Sequence, residues 1–125
     1  MKVIISNQSE LPIYAQIKEQ IKEQILNGQI SEGSTLPSIR SLAKELSVSV
    51  IPTSRAYSDL EAEGFIASAQ GRGSIVLSQN NELLREQYLK RIEEGLTTAI
   101  QTSRIIRLKR EELLQMAETL WDSQD

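Results

Sequence analysis

Residues 38–64, SIRSLAKELSVSVIPTSRAYSDLEAEG, decide the fold. Ile39, Leu42, Ala43 and Leu46 share one face of a short helix, and Ser38 stands where its hydroxyl can cap the first turn. Ser47 to Ser49 leave room only for a tight turn. A second helix then runs to Glu63, with Ala56, Tyr57 and Leu60 facing inward and Gly64 as its terminator. Two short helices joined in this way make a helix-turn-helix. Pro52 falls near the start of the second helix. With Ser49 as N-cap it is the third helical residue, where a missing N–H costs no intrahelical bond. Its ring still biases Ile51 away from helical geometry, which predicts a slightly irregular helix start.

The flanks complete the unit. Upstream, Tyr14, Ile17, Ile21 and Ile25 recur every three or four residues between Lys18, Glu19, Lys22 and Glu23, the pattern of an amphipathic helix that begins after Pro12 and stops at Asn27-Gly28. QISEGSTLP then reads as a loop. Downstream, Phe65–Ala69 and Ser74–Leu77 are β-compatible runs separated by QGRG, whose glycines supply the positive φ of a hairpin turn. The expected fold is mostly α with a small β-hairpin wing, a winged helix-turn-helix over residues 1–78. Polar SQNNELL marks a boundary near residue 79. Beyond it Leu84, Tyr88, Ile92, Leu96, Ala99 and Ile100 trace one helical stripe, and Leu113, Leu114, Ala117, Leu120 and Trp121 another. Residues 79–125 are therefore expected to be a two-helix extension whose apolar faces pack on each other and on a second copy, because two such helices cannot bury those faces alone. The other reading of the stripe is a cover over the winged helix.

Composition narrows the function. The chain has 125 residues, no cysteine and no histidine, which removes disulfides, thiolate or imidazole metal sites and Ser/His or Cys/His nucleophile pairs. The acidic residues fall at solvent-facing helical spacings, and GRG is too short for a nucleotide-binding loop, so no enzyme, metal or cofactor is expected. No secretory segment or membrane span is legible, and a cytoplasmic location is expected. The net charge of −3, from 14 basic and 17 acidic residues, is not that of a typical nucleic-acid binder, so any phosphate-binding face has to be local.

PIYAQIKEQIKEQILNGQISEGSTLPSIRSLAKELSVS, then RAYSDLEAEGFI, then GRGSIV, in that order and spacing, resemble the GntR family of bacterial transcription regulators. The short C-terminal region resembles that of its YtrA-like subfamily. The resemblance implies a dimeric repressor, commonly of its own operon with transporter genes, and the two-fold symmetry of such a dimer requires an inverted-repeat DNA operator. It places DNA contacts on Ser38, Arg40, Ser49, Gly71, Arg72 and Gly73. Many family members carry Arg where this chain has Val50, Thr where it has Pro52 and a basic residue where it has Ser54.

Lys44, Val50, Thr53 and Arg55 complete the candidate DNA-binding set. Arg55 has a rival role in an ion pair with Asp59 one turn on. For Val50 and Ile51 two readings stand: at least one packs into the turn as core, or Val50 meets thymine methyl groups in the major groove. A winged-helix module that binds protein through Val50 and Ile51 is the alternative function. Tyr88, Ile92, Leu96, Leu113, Leu120 and Trp121 are the candidate dimer interface, with Trp121 as anchor.

Overall fold

The computed structural model describes residues 1–79 and 82–123. The elements are α1 (Ile13–Leu26), α2 (Ile39–Leu46), α3 (Val50–Ala62), β1 (Ile66–Ala69), β2 (Gly73–Val76), α4 (Glu82–Ile105) and α5 (Arg110–Asp122). They fall into two compact units, Met1–Asn80 and Asn81–Asp125.

In the first unit α3 packs against both α1 and α2. Ile17 and Ile21 of α1, Leu42 of α2, Thr53 and Leu60 of α3 and Val76 of β2 are almost wholly enclosed. Each of the large aliphatic side chains contributes roughly 1.5–3 kcal/mol by leaving water. Tyr57 is also buried, and its hydroxyl donates to the Pro37 carbonyl at 2.6 Å. That bond ties α3 to the residue just before the Ser38 cap.

β1 and β2 form an antiparallel hairpin in the register Ile66↔Val76, Ala67↔Ile75, Ser68↔Ser74 and Ala69↔Gly73. The segment before α2, expected as plain loop, lies along the other edge of β2. Thr35 bridges Ile75, the Gly33 amide donates to the Val76 carbonyl at 2.8 Å, and the Leu36 amide donates to the Ser74 carbonyl at 2.9 Å. A short third strand in all but length thus closes one edge that a bare hairpin would leave open.

The N-terminal residues are held by side chains. Gln16, Gln20 and Gln24 stand one turn apart on α1, and each amide pairs twice with the backbone of an extended arm. The amides of Ser6, Ile4 and Lys2 donate to the three Oε1 atoms at 2.8, 2.9 and 3.0 Å, and the three Nε2 atoms donate back to the same residues' carbonyls. Residues 2, 4 and 6 face the helix because alternate backbone groups of an extended chain point the same way.

The second unit differs from the sequence expectation. α4 and α5 share little packed surface: Ser103 is the one buried residue of α4 among those described, and α5 has none. They join through a sharp turn in which Arg107 has φ 55° and the Leu108 amide returns to the Ser103 carbonyl at 2.9 Å. The two helices do not cover each other within one chain.

Candidate nucleic-acid interface

The two helix starts are built as their serines dictate. Ser38 Oγ accepts the Ser41 amide at 3.0 Å, and Ser49 Oγ accepts the Ile51 amide at 3.2 Å. Between them Ser47 takes the left-handed conformation (φ 58°) and the Val48 amide closes on the Ala43 carbonyl at 3.0 Å. Arg40 and Lys44 project into solvent one turn apart on α2. Ile51 is helical, contrary to the irregular start expected from Pro52. The Ser49 cap accounts for this: it engages the amide of the very residue that the proline ring biases away from the helix.

Val50 and Ile51 are 48% and 77% exposed, so neither packs into the turn as core. The first turn of α3 therefore presents an apolar tip framed by the Ser49 hydroxyl. Thr53, unlike the DNA-contact residue expected from the sequence, does not reach the surface. It is fully buried, its Oγ1 donating to the Ser49 carbonyl at 3.3 Å, and so it sits under the cap rather than in front of it. Arg55 does not pair with Asp59. Its guanidinium carbon lies 3.6 Å from the centroid of the Tyr14 ring, a stacking contact that holds the exposed Arg55 against α1 while its N–H edge stays open. The sequence carried no sign of this, since Tyr14 falls in the apolar stripe of α1 and reads as core.

At the wing, Gly71 (φ 77°) and Gly73 (φ 75°) bracket Arg72, and the Arg72 amide donates to the Ala69 carbonyl at 2.9 Å. Both glycines occupy backbone that other residues enter only with strain. Gly71, Arg72 and Gly73 are all exposed at the tip.

Ion pairing divides the cations of this unit into two groups. Residues 1–78 hold seven basic residues against eight acidic ones. Lys18 and Lys22 both pair with Glu63, and Lys22 also lies over the Phe65 ring. The Glu63 hydrogen bond, with the charges of Glu63, Asp59 and Glu19 behind it, holds the Lys18 ammonium above its ordinary pKa against a smaller desolvation effect. Among the described residues these are the ion pairs of the unit, which leaves Arg40, Lys44, Arg55 and Arg72 without carboxylate partners. No group of three or more potential metal ligands comes together among the described residues, and no described helix is long and apolar enough to cross a membrane.

Residues 13–76 match the family described as bacterial regulatory proteins, gntR family. The chain belongs to that family. As a GntR-family protein it is a DNA-binding transcription regulator and not an enzyme. It is 38% identical over 96 residues to the HTH-type transcriptional repressor YtrA of Bacillus subtilis, an alignment spanning 77% of this chain and 74% of that protein. Among solved structures it resembles YtrA from Sulfolobus acidocaldarius, a GntR-family transcription factor, with TM-score 0.61 and 38% identity over 76% of this chain and 97% of that one. It also resembles the DNA-binding domain of AraR in complex with operator ORX1, with TM-score 0.53 and 32% identity over 61% of this chain and 95% of that one. The winged helix-turn-helix of this GntR-family chain is thus the fold expected from its sequence, followed by two further helices.

Of the candidate interface residues in the second unit, Ile92 and Leu96 are each 58% exposed, Leu120 is 55% and Trp121 82% exposed, and Tyr88 and Leu113 are half-buried.

Proposed function

We propose that this GntR-family regulator is a homodimeric repressor that acts in the cytoplasm on an inverted-repeat operator in its own promoter region. The observation that carries the dimer is the uncovered apolar stripe of α4 and α5. Ile92, Leu96, Leu120 and Trp121 are left in solvent by a chain that otherwise encloses its core, and an isologous partner covers such a face twice over. Two winged helices related by a two-fold axis read half-sites separated by whole helical turns.

Within each half-site, Ser49, Val50 and Ile51 enter the major groove. Their apolar tip favours thymine methyl groups over the hydrogen-bonded readout available to an arginine. Arg40, Lys44, Arg55 and the Gly71-Arg72-Gly73 tip engage phosphates or the adjacent minor groove, and Ser38 supports them at the start of α2. These contacts need cations at the right places rather than a basic protein. The relative named as a repressor supports repression, and the relatives' names favour DNA over a protein-docking role for the α3 tip.

Nuclease footprinting of the full chain on its own promoter fragment tests the reading. The expected pattern is two protected half-sites of inverted sequence, centred one or more helical turns apart. A single asymmetric half-site, or no protection even at low salt, overturns it.

A further inference from the structure

We infer that the α4–α5 turn, residues 104–110, is a cationic docking element that fits the acidic ridge on α5 of a second copy, so that charge selects the partner. This rests on the homodimer reading above and specifies which surfaces meet. The turn reads RIIRLKR, and its Arg104, Arg107, Lys109 and Arg110 are four of the seven basic residues in the C-terminal stretch 79–125. No ion pair involves any of the four among the described residues. Between them Ile105 and Ile106 are 80% and 73% exposed.

Two of these cations sit where local structure favours another residue. Arg107 occupies left-handed backbone at φ 55°, a position suited to glycine, and Lys109 is the N-cap of α5, where it makes no side-chain cap bond. Lys109 and Arg110 also stand at the positive end of the α5 dipole. Positions that break local preference without a local return are those expected to answer to a partner.

The complement is on the same unit. Glu111, Glu118 and Asp122 recur at intervals of seven and four, which puts them on one ridge of α5 beside Leu114 and Trp121. An apolar stripe with a charged rim is the anatomy of a protein interface. In a two-fold dimer the basic turn of each copy meets the acidic ridge of the other, and the contact is made twice. Ile105 and Ile106 then leave solvent together with the stripe.

Sedimentation of the full chain tests this with three variants. Arg107→Gly/Lys109→Asp places the locally preferred residues at both positions. It should raise the thermal midpoint of the isolated chain at high dilution while weakening dimerisation at least tenfold, so lost dimer cannot be ascribed to misfolding. Arg107→Glu/Lys109→Glu and Glu111→Lys/Glu118→Lys should each self-associate at least tenfold more weakly than the parent chain. Mixed one to one, they should form a heterodimer more tightly than either forms a homodimer, because one of its two contacts is then the parental one and the other sets the two new carboxylates against the two new ammonium groups. Reversed variants that self-associate like the parent, or a mixture with no preference for the heterodimer, overturn the inference. So does a turn-reversed variant that stays dimeric but loses operator affinity, which would put the anion on DNA. A parent chain that is monomeric at all concentrations removes the dimer reading itself, and this one with it.

Discussion

Tyr57→Phe removes one oxygen from the interior of the winged helix, and its cost can be followed in two ways. The Tyr57 side chain is buried and its hydroxyl donates to the Pro37 carbonyl at 2.6 Å, so its loss leaves a half-buried carbonyl without its partner. Such a loss costs about 1–3 kcal/mol. At roughly 4–8 °C per kcal/mol for a domain of this size, the thermal midpoint at pH 7 should fall by several degrees or more. The second reading is in pH. Burial pushes the Tyr57 phenol up to about 12 from its ordinary 10.0. The folded chain therefore holds this proton more tightly than the unfolded one. The stability it confers is complete below pH 10 and is lost as the pH rises from 10 towards 12, at a limiting slope of about 1.4 kcal/mol per pH unit. Phenylalanine has no such proton, so the gap between parent and variant in urea titrations should narrow steadily from pH 10 upward. A gap at pH 7 smaller than about 0.5 kcal/mol, below the range for a stranded buried group, or one that stays constant between pH 9 and 11.5, refutes the burial and hydrogen bonding assigned to this side chain.

Four further outcomes are expected. Ser47→Gly relieves a left-handed residue at the C-cap of α2 and should stabilise the first unit by up to about 1 kcal/mol in a thermal melt, whereas Ser47→Val should destabilise it. Gln20→Leu removes two bonds to Ile4. Amide exchange should become faster at Ile4 and its neighbours in the arm, with a stability loss of roughly 0.5–1.5 kcal/mol. Tyr14→Leu frees Arg55 from its stack; operator affinity and the steepness of its salt dependence should both fall, Tyr14→Phe should preserve them, and an unchanged salt slope would show that the stack does not position Arg55 on a phosphate. Trp121→Ser should weaken dimerisation by about 2 kcal/mol, roughly thirtyfold, in sedimentation equilibrium, and an unchanged constant places the interface elsewhere.

What could be read from sequence was what is local. The caps at Ser38 and Ser49, the stripes of α1 to α3, the tolerance of Pro52 and the glycine-bracketed wing all follow from neighbours in the chain, and the structure has each of them. Thr53 reads as available because it is a polar residue near the start of α3. Its hydroxyl is satisfied by the Ser49 carbonyl one turn back, and only the packing of α1 and α2 against α3 shows that it points inward. The glutamine ladder was invisible for a related reason. Gln16, Gln20 and Gln24 read as the polar flank of α1, and their partners are backbone groups ten or more residues away with no side-chain signature. Arg55 shows the limit of charge patterning: Asp59 stood at the favourable spacing, yet an aromatic ring from another helix took the guanidinium.

The segment 33–37 has a consequence for the DNA rather than for the protein. On one side it is laced to β2 through Thr35 and Ile75, and on the other the Pro37 carbonyl is held by Tyr57 of α3. The wing and α3 are thereby tied to one another through a common strut. On the contacts proposed for Arg72 and Ser49, a mismatch between their spacing and a standard duplex falls on the duplex. Sequences that bend or narrow cheaply, such as those with pyrimidine–purine steps between the contacted bases, should bind better at positions no side chain touches. Part of the operator's identity is then written in its mechanics.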